Sequence, residues 1–118
     1  FMATIKSTDD TFKKIIKENK LVLIDFWAPW CTPCLRLSPI LEEIDKELED
    51  KILFVKHNID EEPNIPTAEG VRGIPTMQIY KDSVLVDTIV GLTTKSDLTN
   101  KIKTHLPNIP DLAKSKGV

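Results

Sequence analysis

Cysteine is scarce in this chain of 118 residues, and its only two cysteines stand close together in the sequence. Two thiols are too few to hold together a disulfide-rich scaffold. They are also too few for a structural zinc site, which uses about four ligands. The only histidines, His57 and His105, do not have the paired spacing of metal ligands. The composition therefore predicts no metal site, and the two cysteines remain candidates for redox chemistry as a pair.

The chain also lacks an excess of charge of one sign and any long apolar run. Its net charge is -2 at pH 7, which argues against a nucleic acid or a membrane surface bound by bulk electrostatics. No apolar stretch approaches the ~20 residues of a membrane span, and no signal peptide is recognisable. Phe1 precedes Met2, so we expect Phe1 to be left over from expression and Met2 to be the natural start. The reducing cytoplasm is then the expected location.

Strands and helices are predicted to alternate along most of the chain. Near-continuous apolar runs are typical of strands buried on both faces of a parallel sheet, and helices show apolar residues three to four positions apart. The predicted strands cover residues 3–6, 21–27, 52–59, 76–80 and 84–90. The predicted helices begin at Ser7 or Thr8, near Cys31, within the Pro-interrupted segment 60–70, and at Thr94 or Ser96.

This order predicts an α/β fold with a central mixed sheet of about five strands flanked by about four helices. The first half implies parallel strands, and a tight turn at Lys81-Asp82-Ser83 adds an antiparallel hairpin. A hydrophobic content of 41% suffices for the core of one domain. We expect that domain to span residues 1–118, with residues 107–118 as a mobile tail.

The second helix has a clear division of apolar and charged positions. The predicted inner face consists of Leu37, Ile40, Leu41, Ile44 and Leu48. The predicted outer face consists of Glu42, Glu43, Asp45, Lys46, Glu47 and Glu49. Pro39 lies inside this pattern and predicts a kink, because proline cannot donate a helical hydrogen bond.

The segment Trp30-Cys31-Thr32-Pro33-Cys34 follows directly on the strand at 21–27. Two cysteines separated by two residues can close a small disulfide ring. At a helix start, free N–H groups and the helix dipole favour negative charge and lower the pKa of a thiol. We therefore predict that Cys31 attacks a substrate disulfide and that Cys34 resolves the mixed disulfide. The alternative is a pair of inert buried thiols.

Further segments make the chain resemble the thioredoxin family. In order along the chain they are Asp25-Phe26-Trp27-Ala28-Pro29-Trp30-Cys31-Thr32-Pro33-Cys34, Pro39, Asn58-Ile59-Asp60, Val71-Arg72-Gly73-Ile74-Pro75-Thr76 and Gly91. The resemblance covers about residues 4–106 and implies the thioredoxin fold. It implies a protein-disulfide reductase that serves electron transport and cell redox homeostasis. Such a protein needs no cofactor of its own and would be a monomer recycled by an NADPH-dependent flavin enzyme, thioredoxin reductase. Its other partners would be client proteins that contain disulfides.

An acid and a base on neighbouring strands receive roles from this resemblance. Asp25 is the one acid in an apolar strand, where burial without a partner raises the pKa of a carboxyl group. The resemblance implies that Asp25 passes protons for Cys34, and Lys56 matches the family's partner for this acid. The alternatives are a solvated strand end for Asp25 and ordinary surface charge for Lys56.

Pro75 occupies the family's cis-proline position, which would place the Ile74 backbone beside Cys31, free to pair with an extended substrate. A cis X-Pro bond is uncommon, and the alternative is a trans proline that opens an edge strand. The expected apolar groove around this point consists of Trp30, Gly73, Ile74, Pro75, Val90 and Gly91. We expect Trp27 to belong to the core and His57 to have no catalytic role.

Several positions depart from the family's usual pattern, among them Pro63 and Pro66, which shorten the helix before Gly70. Thr32 stands where glycine is commonest, and with Pro33 it is expected to tune the redox potential. Leu35 replaces a lysine, so positive charge near the site is reduced or moved to Arg36, and Glu69 replaces a residue that is often aromatic. Two alternatives therefore stay open: a more oxidising exchange protein or isomerase, and a non-catalytic binding subunit of the same fold.

Overall fold

A mixed five-stranded sheet forms the centre of the protein. The structure is a computed structural model, and it describes residues 4–106 except the side chain of Glu49. The strands are β1 (Ile5–Lys6), β2 (Leu21–Trp27), β3 (Leu53–Asn58), β4 (Thr76–Lys81) and β5 (Val84–Val90), in the order β1-β3-β2-β4-β5. β3 runs parallel to β1 and β2, whereas β4 is antiparallel to β2 and β5. The predicted mixed sheet is confirmed.

Four α-helices accompany the sheet within the described residues. They are α1 (Phe12–Glu18), α2 (Thr32–Leu48), α3 (Asn64–Ala68) and α4 (Lys95–Lys103), and a 3-10 turn (Glu49–Lys51) follows α2. The predicted sequence of elements is therefore confirmed. The predicted mobile tail at 107–118 lies outside the described residues.

The central strand β2 divides the core into two clusters, because successive side chains of a strand point to opposite faces. Leu21 and Leu23 pack with α2 and α4 on one face. Val22, Ile24 and Phe26 pack with α1 on the other. Each such buried side chain contributes about 1.5–3 kcal/mol through removal of apolar surface from water. This rigid strand supports the residues that follow its carboxyl end.

Two residues with positive φ make the hairpin between β4 and β5. Asp82 has φ 51° and Ser83 has φ 71°. These values fit a two-residue type I′ turn, whose twist matches that of the flanking strands. The predicted hairpin is confirmed. A register irregularity between Ile79 and Tyr80 was not predicted.

The first helix begins later than predicted, at Phe12. Of the two residues predicted to start it, Thr8 does accept the N–H of Thr11 through Oγ1 at 3.1 Å, whereas the prediction for Ser7 is wrong. Residues 8–11 form a turn, and α1 starts at Phe12 with Thr11 before it. The Ser7 hydroxyl is instead hydrogen-bonded to His57 Nδ1 at 2.7 Å. The Ser7 side chain, which the local sequence assigned to the start of the helix, therefore bonds to a strand residue 50 positions away.

Asp45 was predicted on the outer face of α2, and the structure corrects this. Only 3% of Asp45 is exposed. Its position follows the spacing of Leu41, Ile44 and Leu48, the i, i+3, i+4, i+7 pattern of one helix face. Burial accordingly raises the pKa of Asp45. The helix continues past Pro39 to Leu48, and the kink at Pro39 stays a prediction.

Candidate active site

Cys31 is the residue that caps the amino end of α2. Its carbonyl oxygen accepts the N–H of Leu35, and the N–H of Cys34 points at Cys31 Sγ, 3.2 Å away. This is the geometry of an N-cap side chain that accepts a free N–H of the first turn. The two cysteines form a disulfide with 5.2 Å between their Cα atoms. Cys31 is 5% exposed and Cys34 is fully buried, so Cys31 is the sulfur nearer to the surface.

The Ile74-Pro75 segment lies beside this disulfide. The peptide bond is cis, so the trans alternative is wrong. Cys31 Sγ is 3.8 Å from the Ile74 carbonyl oxygen. The N–H of Gly91 donates to the Pro75 carbonyl at 2.8 Å, and Gly91 has φ 92°, a conformation that favours glycine. The segment before β4 and the end of β5 thus meet next to the reactive sulfur.

Several exposed side chains surround the same place. Trp30 is 67% exposed, and its Nε1 donates to Asp60 Oδ2 at 2.8 Å, which fixes the indole ring. Val90 is 71% exposed. It lines a cavity of about 340 Å³ together with Gly73 and Arg72. Of the other predicted groove residues, Gly73 is exposed, Ile74 and Gly91 are half-buried, and Pro75 is buried. Their common role in binding a substrate stays a prediction.

Asp25 lies on the face of β2 that also carries Leu21 and Leu23. Its side chain is fully buried, and neither carboxyl oxygen accepts a hydrogen bond from any described residue. Burial raises the pKa of Asp25 to about 7, although the charge of Lys56 opposes this change. The solvated strand end considered for Asp25 is therefore wrong.

Lys56 is opposite Asp25 in the register of β2 and β3. Among the ion pairs of residues 4–106, none joins these two residues. Lys56 Nζ donates instead to Ser38 Oγ at 2.8 Å and lies 4.2 Å from the centre of the Trp27 ring. Lys56 therefore acts on Asp25 through its electric field. Trp27 is half-buried and contributes this cation–π contact, so its assignment to the core is only partly right.

Ser38 also belongs to the site, although the sequence did not indicate it. It follows Cys34 by four positions, so the two lie on the same side of α2. That spacing was the available signal, but an isolated serine in a helix does not reveal its partner on another element. The hydroxyl of Ser38 also donates to the Cys34 carbonyl oxygen at 3.4 Å.

His57 is fully buried and supports the structure. Its Nδ1 contacts the Ser7 hydroxyl and its Nε2 contacts the Glu62 carbonyl oxygen at 2.9 Å. Nε2 also lies 3.4 Å from Asp9, whose carboxylate accepts the N–H groups of residues 64 and 65 at the start of α3. These contacts account for the buried polar atoms of His57 and give the ring a structural role.

Among the residues that depart from the family's usual pattern, those at the start of α2 are exposed, and Glu69 is hydrogen-bonded to a strand residue. Thr32, Pro33, Leu35 and Arg36 are exposed at the start of α2. Glu69 accepts a hydrogen bond from the Tyr80 hydroxyl at 3.0 Å.

Within residues 4–106, no group of three or more His, Cys, Asp or Glu side chains is arranged to hold a metal ion. No helix in the same range has the length and apolar character needed to cross a membrane.

Comparisons with known proteins agree with this geometry. The family model described as Thioredoxin matches residues 3–104. Thioredoxin 1 of Synechococcus elongatus is 45% identical over 100 residues, which are 84% of this chain and 94% of that protein. Thioredoxin of Rickettsia felis is 50% identical over 96 residues, 80% of this chain and 91% of the relative.

A solved structure shares the fold. It comes from work on the thiol resolving mechanism of a yeast mitochondrial 1-Cys peroxiredoxin via glutathione and thioredoxin systems. The TM-score is 0.80 at 33% identity, covering 86% of this chain and 95% of the other. Together with the disulfide at the start of α2, these matches show that the chain belongs to the thioredoxin family and is a dithiol–disulfide reductase of the thioredoxin type.

Proposed function

We propose that the protein reduces disulfides in client proteins, with Cys31 as the nucleophile and Cys34 as the resolving cysteine. The Cys31 thiolate attacks one client sulfur, and the other client sulfur leaves as a thiolate. Cys34 then loses its proton and attacks Cys31 Sγ, which releases the second client thiolate and forms the Cys31–Cys34 disulfide. Two electrons pass to the client. The observation that carries this proposal is the position of Cys31 Sγ at the amino end of α2, facing the Cys34 N–H.

Asp25 is proposed as the group that takes the proton from Cys34. A general base works best when its pKa is near the working pH, and burial brings the pKa of Asp25 to about 7. The proton would travel through water. Lys56 supports the charged form of Asp25 after the transfer, because an opposite charge nearby favours ionisation.

Clients are proposed to bind as extended segments along the Ile74 backbone. The half-buried Ile74 carbonyl is next to Cys31 Sγ, so a bound segment would bring its disulfide to the attacking sulfur. The groove residues Trp30, Gly73, Val90 and Gly91, with Pro75, would contact the client side chains. Thr32 and Pro33 would tune the potential from their exposed positions between the cysteines.

The oxidised protein must be reduced again for each new client. We propose that a thioredoxin reductase does this with electrons from NADPH, so that the protein uses NADPH indirectly and holds no cofactor or metal. It would work as a cytoplasmic monomer, in electron transport and cell redox homeostasis. The family membership supports this cycle.

Insulin reduction coupled to NADPH oxidation by a thioredoxin reductase tests the catalytic proposal. The wild type should turn over, whereas Cys31→Ser should be inactive and Cys34→Ser should accumulate a mixed disulfide with the client. No turnover by the wild type would favour the binding-subunit alternative. Equilibration with glutathione tests the oxidising alternative: a potential near about -120 mV, typical of strong disulfide oxidants, would contradict the reductase proposal.

A further inference from the structure

The Ser38 hydroxyl links two parts of the candidate site. Its oxygen accepts a hydrogen bond from Lys56 Nζ at 2.8 Å, and its proton is directed at the Cys34 carbonyl oxygen at 3.4 Å. The hydroxyl thus uses both its acceptor and its donor capacity. These two hydrogen bonds thereby connect the Lys56 side chain of β3 to the turn of α2 that contains Cys34.

The hydrogen bond to Ser38 fixes the position of the Lys56 ammonium group. The residue is half-buried, and its long, flexible stem would let the ammonium group move out into water. Besides Ser38, its described contact is the face of Trp27, at 4.2 Å from the ring centre. A cation over a ring has no fixed direction of approach, whereas the hydrogen bond to Ser38 fixes one.

The position of this ammonium group matters because Asp25 has few charged neighbours. Lys56 faces Asp25 from β3, and the uncharged Met77 faces it from β4. α2 covers the same sheet face. On α2, Cys34 is uncharged in the disulfide, Ser38 is neutral, and the buried Asp45 lies about two helical turns beyond Ser38. The charge that favours ionisation of Asp25 is therefore held in place by a neutral hydroxyl on the helix.

We infer that Ser38 is a positioning residue: its hydroxyl holds the Lys56 ammonium group near Asp25 and so sets how readily that buried carboxyl group gives up its proton. The significance for turnover rests on the proposed role of Asp25. The inferred geometry itself concerns only Ser38, Lys56 and Asp25.

The test is a titration of the Asp25 carboxyl carbon by NMR in the oxidised protein, with Ser38→Ala as the main variant. Alanine is a strong helix former, so α2 should persist. Release of Lys56 should raise the pKa of Asp25 by roughly half a pH unit or more, since a charge that moves a few ångströms away changes the Coulomb energy by that order. Ser38→Thr keeps the hydroxyl and should restore the wild-type value.

Lys56→Met provides the matched control, because it removes the charge and keeps much of the stem. Its effect should be at least as large as that of Ser38→Ala, and the double variant should titrate like Lys56→Met alone. An unchanged or lowered pKa in Ser38→Ala would overturn the inference, as would additive effects in the double variant. The titration needs no turnover, so this result is independent of whether insulin is reduced.

Discussion

Replacement of Asp25 by asparagine should make the folded protein more stable at neutral and alkaline pH. Asparagine is close to aspartic acid in size but cannot ionise. The Asp25 oxygens accept no hydrogen bond from a described residue, so the substitution removes no such bond. The main change is the loss of a buried negative charge, whose desolvation is unfavourable.

The size and sign of the effect follow from the two pKa values of Asp25. Burial raises the pKa from 3.8 to about 7 in the folded protein, and each pH unit corresponds to about 1.4 kcal/mol. Below pH 3.8 the group is protonated in both the folded and unfolded states. Between the two values only the folded state keeps the proton, so the free energy of unfolding falls as pH rises. Above pH 7 the ionised Asp25 destabilises the fold by about 4 kcal/mol.

Urea denaturation of the oxidised wild type and of Asp25→Asn, from pH 4 to pH 8.5, measures this effect. The variant should gain stability relative to the wild type between pH 4 and about pH 7, and the difference should level off above that pH. The full gain of up to about 4 kcal/mol is large beside a typical total of about 5–15 kcal/mol. Other titrating groups, such as Asp45 and Asp9, cancel in the difference. A difference that is constant with pH, or that shrinks as pH rises, would refute the assignment of a raised pKa to Asp25.

Three further outcomes follow from other contacts. Thr94→Ala removes the oxygen that accepts the N–H of Asp97 and should lower the free energy of unfolding by about 1 kcal/mol in urea, whereas Thr94→Ser should retain it. Leu41→Ala opens a cavity in the core between α2 and the sheet and should cost about 2–5 kcal/mol by the same measurement. Asp60→Ala frees the Trp30 indole and should raise the KM for insulin by roughly 2- to 10-fold with little change in kcat; an unchanged KM would show that the ring needs no anchor.

Much of the fold could be predicted because local patterns and tertiary structure agree. The apolar run at 21–27 forms the central strand, and the cysteine pair marks the start of α2. The turn at Asp82 and Ser83 was also located correctly. In these segments the structure that the local residue pattern favours is the one that tertiary packing requires, so the sequence alone was enough to predict it.

The errors have two physical origins: a distant contact that overrides a local preference, and a charged residue at a position that the helical spacing buries. Ser7 has the chemistry of a helix cap but bonds to His57 on β3. Asp45 is a different case, because the helical spacing of the buried face already includes it and only its charge favoured the outer face. The role of Lys56 beside Asp25 stays a prediction, and its hydrogen bond to Ser38 on α2 could not be predicted from the sequence. Neither His57 for Ser7 nor Ser38 for Lys56 lies within reach of a sequence window, because each pair joins elements that meet only in the folded protein.

The cap made by Cys31 gives the protein an internal reporter of its own chemistry. The Cys34 N–H points at Cys31 Sγ, so its proton resonance and its exchange with water should respond to every change of charge on that sulfur. Thiol, thiolate, disulfide and client adduct would then be distinguished at one amide, without a dye or a coupled enzyme. The same contact recommends Cys31→Ser over Cys31→Ala for structural work, because a serine oxygen at the N-cap still accepts this N–H whereas alanine leaves it without a partner.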